Sequence, residues 1–248
     1  MFFCFHYLDK IRKLQLPEIK LNQEKEAVLI EFRNFPHIEF AIRNTIHKLG
    51  SEWSYTVVCG TGNLQLVKQI CNNISKNIKI IVYDYENINI EQYSMLLAEK
   101  KLWQNFRGNK ILIYQEDSHI LNSNINEYLK YDYIGAVHHE NGVPTIGNGG
   151  LSLRTKDIMI KILEQTIYVD SNILNYIHPE DLFFPRYMKK LKLGTIAPVE
   201  EGEKFSFQGP HKNFETFGCH NPSLSIPDWT NQEWKDYIYQ KLIKDIKD

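Results

Sequence analysis

The chain has 248 residues, 43% of them hydrophobic and 24% charged, with a formal net charge of −1. That length admits one large domain or two small ones, and the near-neutral balance gives no bulk electrostatic ground for binding nucleic acid or an anionic membrane. The four cysteines, Cys4, Cys59, Cys71 and Cys219, are scattered without a CxxC pair, which reads as a reduced, intracellular chain.

The opening "MFFCFHYL" is apolar for only eight residues before Asp9 and Lys10. It is too short to span a bilayer and lacks the basic start and cleavage site of a signal peptide. No other segment reaches transmembrane length, so a soluble, cytoplasmic protein without a membrane span is expected. Residues 1–25 read as a leading arm or short helix. "AVLIEF", Ala27 to Phe32, is a continuous apolar run of strand length. Pro36 then opens a helix carrying Ile38, Ala41, Ile42, Thr45, Ile46 and Leu49 at helical spacing, and Gly50 stops it. "YTVVC" is a second strand ended by the turn "GTGN", and Leu64, Val67, Ile70 and Cys71 form the apolar stripe of the next helix. "IKIIVYDY" is a third strand, Glu91 to Leu102 a helix, and "KILIYQEDS" a fourth strand.

Strand and helix thus alternate four times between Ala27 and Asp117, the pattern of a parallel sheet with helices on both faces. Such sheets bind ligands beyond the carboxyl ends of their strands, which directs attention to Glu31, Arg33, Gly60, Thr61, Asp84 and Gln115 to Ser118. Beyond Asp117 come "YDYIGA", "GLSLR", a helix from about Thr155 to Gln165, and "HPEDLFFPRYMKK". An irregular stretch and a terminal helix from near Asp228, with Trp229, Trp234, Tyr237 and Ile238, complete the chain. With no linker between the halves, residues 26–248 read as one domain with two functional parts, 26–118 and 119–248.

Glu116 and Asp117 follow an apolar strand directly. They are placed either to hold a hard cation in the ligand crevice or to form a polar turn that caps the next segment. In "HPEDLFF", Pro179 suits a helix start, so Glu180 and Asp181 lie in the first turn. There the helix dipole favours negative charge, and a carboxylate can equally serve as a general base. His220 in "FGCHNP" sits among Gly, Asn and Pro, where an imidazole is a candidate metal ligand, with His211 a weaker one. "GNGG", Gly147 to Gly150, places three of the chain's 13 glycines within four positions. It fits no common phosphate motif, and its glycines allow a positive φ or the close approach of a ligand. "GTGN" fits neither GxGxxG nor a P-loop and reads as a turn.

The order "EFRNFPH", "ILIYQEDSHIL", "YDYIGA", "GNGGLSLR", "HPEDLFF", "FGCHNP" resembles a glycosyltransferase-like family long catalogued only as a domain of unknown function, with bacterial, fungal and large-DNA-virus members. The resemblance covers Ala27 to Pro222. The abundance of Asn, Ile and Lys suits an AT-rich source and a viral member, placing the protein in a host cytoplasm or virion. The resemblance implies an α/β fold of GT-A type, with 26–118 as the nucleotide-binding half and 119–248 as the acceptor half with a C-terminal helix. It also implies a divalent metal, Mn²⁺ or Mg²⁺, on an acidic motif whose last residue is matched by Asp117. Gln115 stands where that motif has its first acid, and His220 matches a late metal-ligating histidine.

The donor expected from the resemblance is a nucleotide-diphosphate sugar, UDP by default. It would be contacted by Arg33, Glu116, Gly147, Asn148, Gly149, Gly150 and Arg154, although Arg154 can equally pair with a structural carboxylate. The acceptor would be a hydroxyl of a glycan, protein or small molecule. Asp181 is the base expected to drive inverting transfer, with Glu180 next. Two other readings remain: a sugar nucleotidyltransferase, and a catalytically inactive GT-A-like module that binds a nucleotide or glycan.

Overall fold

The computed structural model describes residues 2–21, 24–140, 142–166, 179–207, 215–221, 231–244 and 246. Two short helices, α1 (Phe2–Phe5) and α2 (Leu8–Ile11), precede strand β1 (Lys25–Ile30). Helix α3 (Ile38–Leu49) ends at Gly50, whose φ of 77° is open to glycine at little steric cost. Then follow β2 (Ser54–Gly60), α4 (Leu64–Ile74) and β3 (Lys79–Tyr83). The single helix expected over 91–102 is two, α5 (Ile90–Leu97) and α6 (Lys100–Asn105), broken at Ala98 and Glu99. Asn89 starts α5 with a reciprocal capping box to Gln92.

Strand β4 (Lys110–Tyr114) stops earlier than the expected "KILIYQEDS" strand, because Gln115 to Asp117 turn out of the sheet. Ser118–Ile120, β5, joins a different sheet. Next come β6 (Tyr133–Gly135), the hairpin β7 (Val137–Glu140) and β8 (Val143–Ile146), β9 (Leu151–Thr155), and helix α7 (Lys156–Gln165). Helix α8 (Glu180–Leu191) starts after Pro179 as expected, followed by α9 (Val199–Phe205), β10 (Ser206–Phe207), β11 (Gly218–His220) and α10 (Asn231–Ile238). His211, Pro222 and the expected helix start at Asp228 and Trp229 lie outside the described residues.

The main sheet has six strands in the order β3-β2-β1-β4-β9-β6. The first four are parallel, and β9 runs antiparallel between β4 and β6, with Leu112 opposite Leu153 and Leu153 opposite Ile134. Strands β1 and β2 carry near-continuous apolar runs because helices cover both sheet faces. Ile42 and Ile46 of α3 and Val67 and Ile70 of α4 pack on one face with Leu29 and Val57. Leu97, Trp103, Met159 and Phe184, from α5 to α8, pack on the other with Val28 and Ile113. This is the helix-flanked, mainly parallel α/β sheet that the sequence predicts. Among the described residues no helix is long and apolar enough to cross a membrane.

Residues near the N-terminus form part of the packed body rather than a free arm. Cys4, Leu8 and Ile11 are buried with Ile238, Leu242 and Ile243 from the chain's end, and Arg12 pairs with Glu39 at 2.6 Å. The small sheet β10-β11-β5 lies under this cluster. There the His119 ring has Cys4 Sγ at 3.4 Å and Tyr237 Oη at 3.5 Å, and Cys219 Sγ lies 3.4 Å from the same phenol. All four cysteines are buried and free.

Burial lowers the His119 pKa to about 4. The folded chain therefore keeps the ring neutral, while an unfolded chain takes up a proton near pH 6.5. The sign follows: stability is complete above about pH 6.5 and is lost as pH falls towards 4, by about 3 kcal/mol. His119→Phe should flatten the fall in urea-unfolding free energy between pH 6.5 and 4.

Candidate functional site

A cavity of about 750 Å³ opens beyond the carboxyl ends of β1 and β4, the position where open α/β sheets take ligands. Four segments supply its walls: Ile30–Arg33 after β1, Asn87–Tyr93 around the start of α5, Gln115 and Asp117 after β4, and His220 and Asn221 at the end of β11.

One wall is a charge network built on Arg33. Its guanidinium grips Glu31 through Nε (2.8 Å) and Nη2 (2.7 Å), and Nη2 also reaches Glu116 at 3.0 Å. The far oxygen of Glu116 meets His37 Nε2 at 2.7 Å, and Phe35 lies under the guanidinium at 4.8 Å. The Glu31 hydrogen bond raises the Arg33 pKa, so this cation is permanent. Burial pushes the Glu116 carboxyl up, but the His37 hydrogen bond and nearby positive charge together bring its pKa below the usual value. Glu116 was expected to touch the donor; it instead holds Arg33 and His37 in place, and is only 6% exposed. Arg33, with a side chain 48% exposed, is the member that faces the cavity.

The second wall joins Asp117 and His220. Strand β11 lies antiparallel to β5, with His220 opposite Ser118, and the Asn221 N–H donates to the Asp117 carbonyl (3.1 Å). Residues 103 apart in sequence are thereby brought face to face: His220 Nε2 lies 3.4 Å from Asp117 Oδ1 and 2.9 Å from Gln115 Oε1. Asp117 Oδ1 is buried and has no partner in hydrogen-bond geometry among the described residues. Burial raises the Asp117 pKa, but the hydrogen bond and charge of His220, with smaller backbone and charge contributions, bring it below the usual value, so the group is a carboxylate. A buried carboxylate oxygen with only a long contact to one imidazole is incompletely satisfied, and a divalent cation between the two suits both donors. The residues present therefore fit a metal, with two protein ligands. No cluster of three or more acidic, His or Cys side chains that could hold one occurs among the described residues.

The glycine cluster has a different task from the one expected. A Cβ on Gly150 would overlap the His220 ring, one on Gly149 would overlap the Glu180 carboxylate, and one on Gly147 would overlap the His138 ring. The space a Cβ would need at each of these glycines is taken by the protein's own side chains. The positive φ falls on Asn148 (65°), whose Oδ1 accepts from the Gly150 N–H at 3.1 Å and closes the turn. Asparagine tolerates this conformation better than most residues.

Arg154, expected on the donor or on a structural carboxylate, and Glu180, expected as the second choice of base, are engaged with each other. Arg154 is wholly buried and forms a two-pronged ion pair with Glu180, its guanidinium 5.0 Å from the Tyr133 ring. The structural carboxylate, not a phosphate, is its partner. Burial raises the Glu180 pKa against the pull of Arg154. With Glu180 engaged in that pair, the neighbouring Asp181 is the acid that meets the glycine turn: its Oδ2 accepts from the Gly149 N–H at 2.9 Å.

Three further residues went unmarked in the sequence. His37 is set by the α3 entry. Tyr93 looks like an ordinary helix aromatic, yet its buried hydroxyl is out of hydrogen-bond geometry among the described residues. The same holds for both ring nitrogens of His138. Nothing in their local sequence separates them from core residues, because what marks them, a contact with Glu116 for His37 and buried polar atoms out of hydrogen-bond geometry for Tyr93 and His138, exists only in three dimensions.

Fold and cleft together define an α/β protein with a cavity at the carboxyl ends of its parallel strands. Residues 77–220 match the model of a family described as protein of unknown function (DUF5672), and the chain belongs to that family. No curated protein matches it. Among solved structures, it is similar to 4-diphosphocytidyl-2C-methyl-D-erythritol synthase from Anaerococcus prevotii, with 7% identity and a TM-score of 0.48, over 71% of this chain and 87% of that one. HddC from Yersinia pseudotuberculosis is similar with 10% identity and a TM-score of 0.38, over 55% and 79%.

Arg154→Met should cost about 3–5 kcal/mol in urea unfolding, since it strands a buried carboxylate. Arg154→Met combined with Glu180→Leu should recover most of that loss, because neither charge then remains buried alone.

Proposed function

We propose that the protein is a glycosyltransferase that moves a sugar from a nucleotide-diphosphate sugar, UDP by default, to an acceptor hydroxyl with inversion. The observation that carries this reading is the buried Asp117 carboxylate oxygen, outside good hydrogen-bond geometry and 3.4 Å from His220 Nε2, in a cavity at the strand ends. A divalent cation, Mn²⁺ or Mg²⁺, held by Asp117 and His220 would supply charge neutralisation for a diphosphate leaving group.

The chain's own residues supply the rest. Arg33, kept planar and charged by Glu31 and Glu116, offers N–H groups to the nucleotide. Asp181, held through Oδ2 by the Gly149 N–H, takes the proton of the acceptor hydroxyl. The acceptor oxygen forms its bond to the anomeric carbon as the bond from that carbon to the diphosphate oxygen breaks. The electron pair leaves with the diphosphate, and the proton ends on Asp181. Attack from the face opposite the leaving group inverts the anomeric configuration. Arg33 is the one permanent cation among the described residues lining the cavity, which favours a diphosphate with its cation over the triphosphate a nucleotidyltransferase must hold. The acceptor class proposed is a hydroxyl of a glycan, protein or small molecule.

A panel of nucleotide sugars with and without Mn²⁺ tests the reading by thermal shift. A ligand at 100 times its Kd should stabilise the fold by about 2.7 kcal/mol. Absence of any stabilisation by nucleotide sugars or diphosphates would overturn it. Asp181→Asn should lower turnover by about 10²–10⁴-fold while nucleotide binding is retained. Gly150→Ala, which drives the His220 ring from its seat, should remove the Mn²⁺-dependent part of the shift in the same assay.

A further inference from the structure

The turn after β4 fixes two side chains on the cavity rather than one. The Gln115 N–H donates to the Gly150 carbonyl (2.9 Å), and the Ser118 N–H donates to the Gln115 carbonyl (3.1 Å). Gln115 and Asp117, two residues apart in this turn, line the cavity together with His220. Measured from His220 Nε2, Gln115 Oε1 is 2.9 Å away and Asp117 Oδ1 is 3.4 Å away.

An octahedral ion with bonds of about 2.1 Å holds neighbouring donors about 3 Å apart, and both separations lie near that spacing. An amide oxygen is also a donor that hard divalent cations accept. Neither Gln115 Oε1 nor Asp117 Oδ1 can donate a proton, and both face the one ring nitrogen, so a positive centre suits the space among the three. The amide is oriented from its other end by Tyr93 on α5, whose hydroxyl is a side-chain partner of Gln115 across the same cavity. With its NH₂ group serving that hydroxyl, the amide presents its oxygen to His220.

Charge gives this donor set its character. The neighbouring carboxylates are already committed, Glu31 to Arg33 and Glu116 to Arg33 and His37. Asp117 therefore brings the single negative charge of the triad. A divalent ion seated on it retains a surplus of positive charge, in a cavity that Arg33 also lines. A second carboxylate at position 115 would cancel that surplus, whereas the amide leaves it for an anionic ligand.

We propose that Gln115 Oε1 is the third protein ligand of the cation, so that a singly negative triad holds the ion loosely by itself and firmly only with a diphosphate. This rests on the reading that Asp117 and His220 bind a divalent cation. Ion and diphosphate then tighten each other's binding by the same factor, as linkage requires.

Titration calorimetry of the purified chain with MnCl₂ alone tests this in wild type, Gln115→Leu and Gln115→Glu, with Asp117→Asn as the site control. Gln115→Leu should weaken Mn²⁺ binding about tenfold, the weight of one contact between a neutral dipole and a charge. Gln115→Glu should tighten it about tenfold or more. UDP affinity, measured with and without MnCl₂, should gain less from the ion in Gln115→Glu than in wild type. The visible absorption of bound Co²⁺ reports the donor set itself, and its bands should shift in both variants. Thermal melts without metal show which variants are folded, and Gln115→Glu carries the test where Gln115→Leu is not. An unchanged Co²⁺ spectrum in a folded Gln115 variant would overturn the ligation, whatever its affinity. If Gln115→Glu binds Mn²⁺ no more tightly than wild type, or gains as much UDP affinity from it, the charge argument fails. Equal Mn²⁺ binding by wild type and Asp117→Asn would instead overturn the cation site itself, and the third ligand with it.

Discussion

The buried ion pair between Arg154 and Glu180 is the joint on which the site depends. Arg154 projects from β9, the antiparallel strand wedged between β4 and β6, and is wholly enclosed between Tyr133 and Phe184. Its partner is the first residue of α8. A guanidinium in that position demands a carboxylate, because an unpaired buried charge costs several kcal/mol. The demand pins the start of α8 against the glycine turn and sets Asp181 within reach of the Gly149 N–H. Gly149 has no side chain because the Glu180 carboxylate occupies the space a Cβ would need. Sheet, turn and helix are locked by one contact.

The same division of labour recurs across the cleft. Each acidic pair, Glu116–Asp117 and Glu180–Asp181, has a first member that is buried and committed to cations of the protein. The second member differs: Asp117 keeps an oxygen outside good hydrogen-bond geometry, 3.4 Å from His220 Nε2, and Asp181 accepts from the Gly149 backbone N–H. Neighbouring side chains leave the backbone in different directions, so an adjacent pair can anchor with one carboxylate and present the other. The neutral Gln115 beside Asp117 adds a third feature, since it can bind His220 without adding negative charge next to Glu116 and Asp117.

Much of the scaffold was legible from local patterns. The alternation from Ala27 to Asp117, the stop at Gly50 and the start of α8 after Pro179 all follow from apolar spacing and backbone preference, which act over a few residues. Local pattern was weaker where tertiary packing decides. The break at Ala98 in the expected helix and the turn at Gln115 are examples. So is the docking of α1 and α2 on the C-terminal segment, which turns an expected arm into part of the body. The glycines of "GNGG" were legible as places of close approach, but what approaches is His220, Glu180 and His138. That is information about residues far away in the chain.

By itself the sequence determined the sheet-and-helix order, the candidate acids and the late histidine, because residue type and short-range spacing carry those features. The tertiary structure decided which member of each acidic pair is an anchor, that Arg154 is internal, and that Gln115, His220 and Tyr93 share one cavity. Charge pairing and burial depend on distances between residues tens of positions apart. Asp117 and His220, 3.4 Å apart and 103 residues distant in sequence, meet only because β5 and β11 pair across the small sheet.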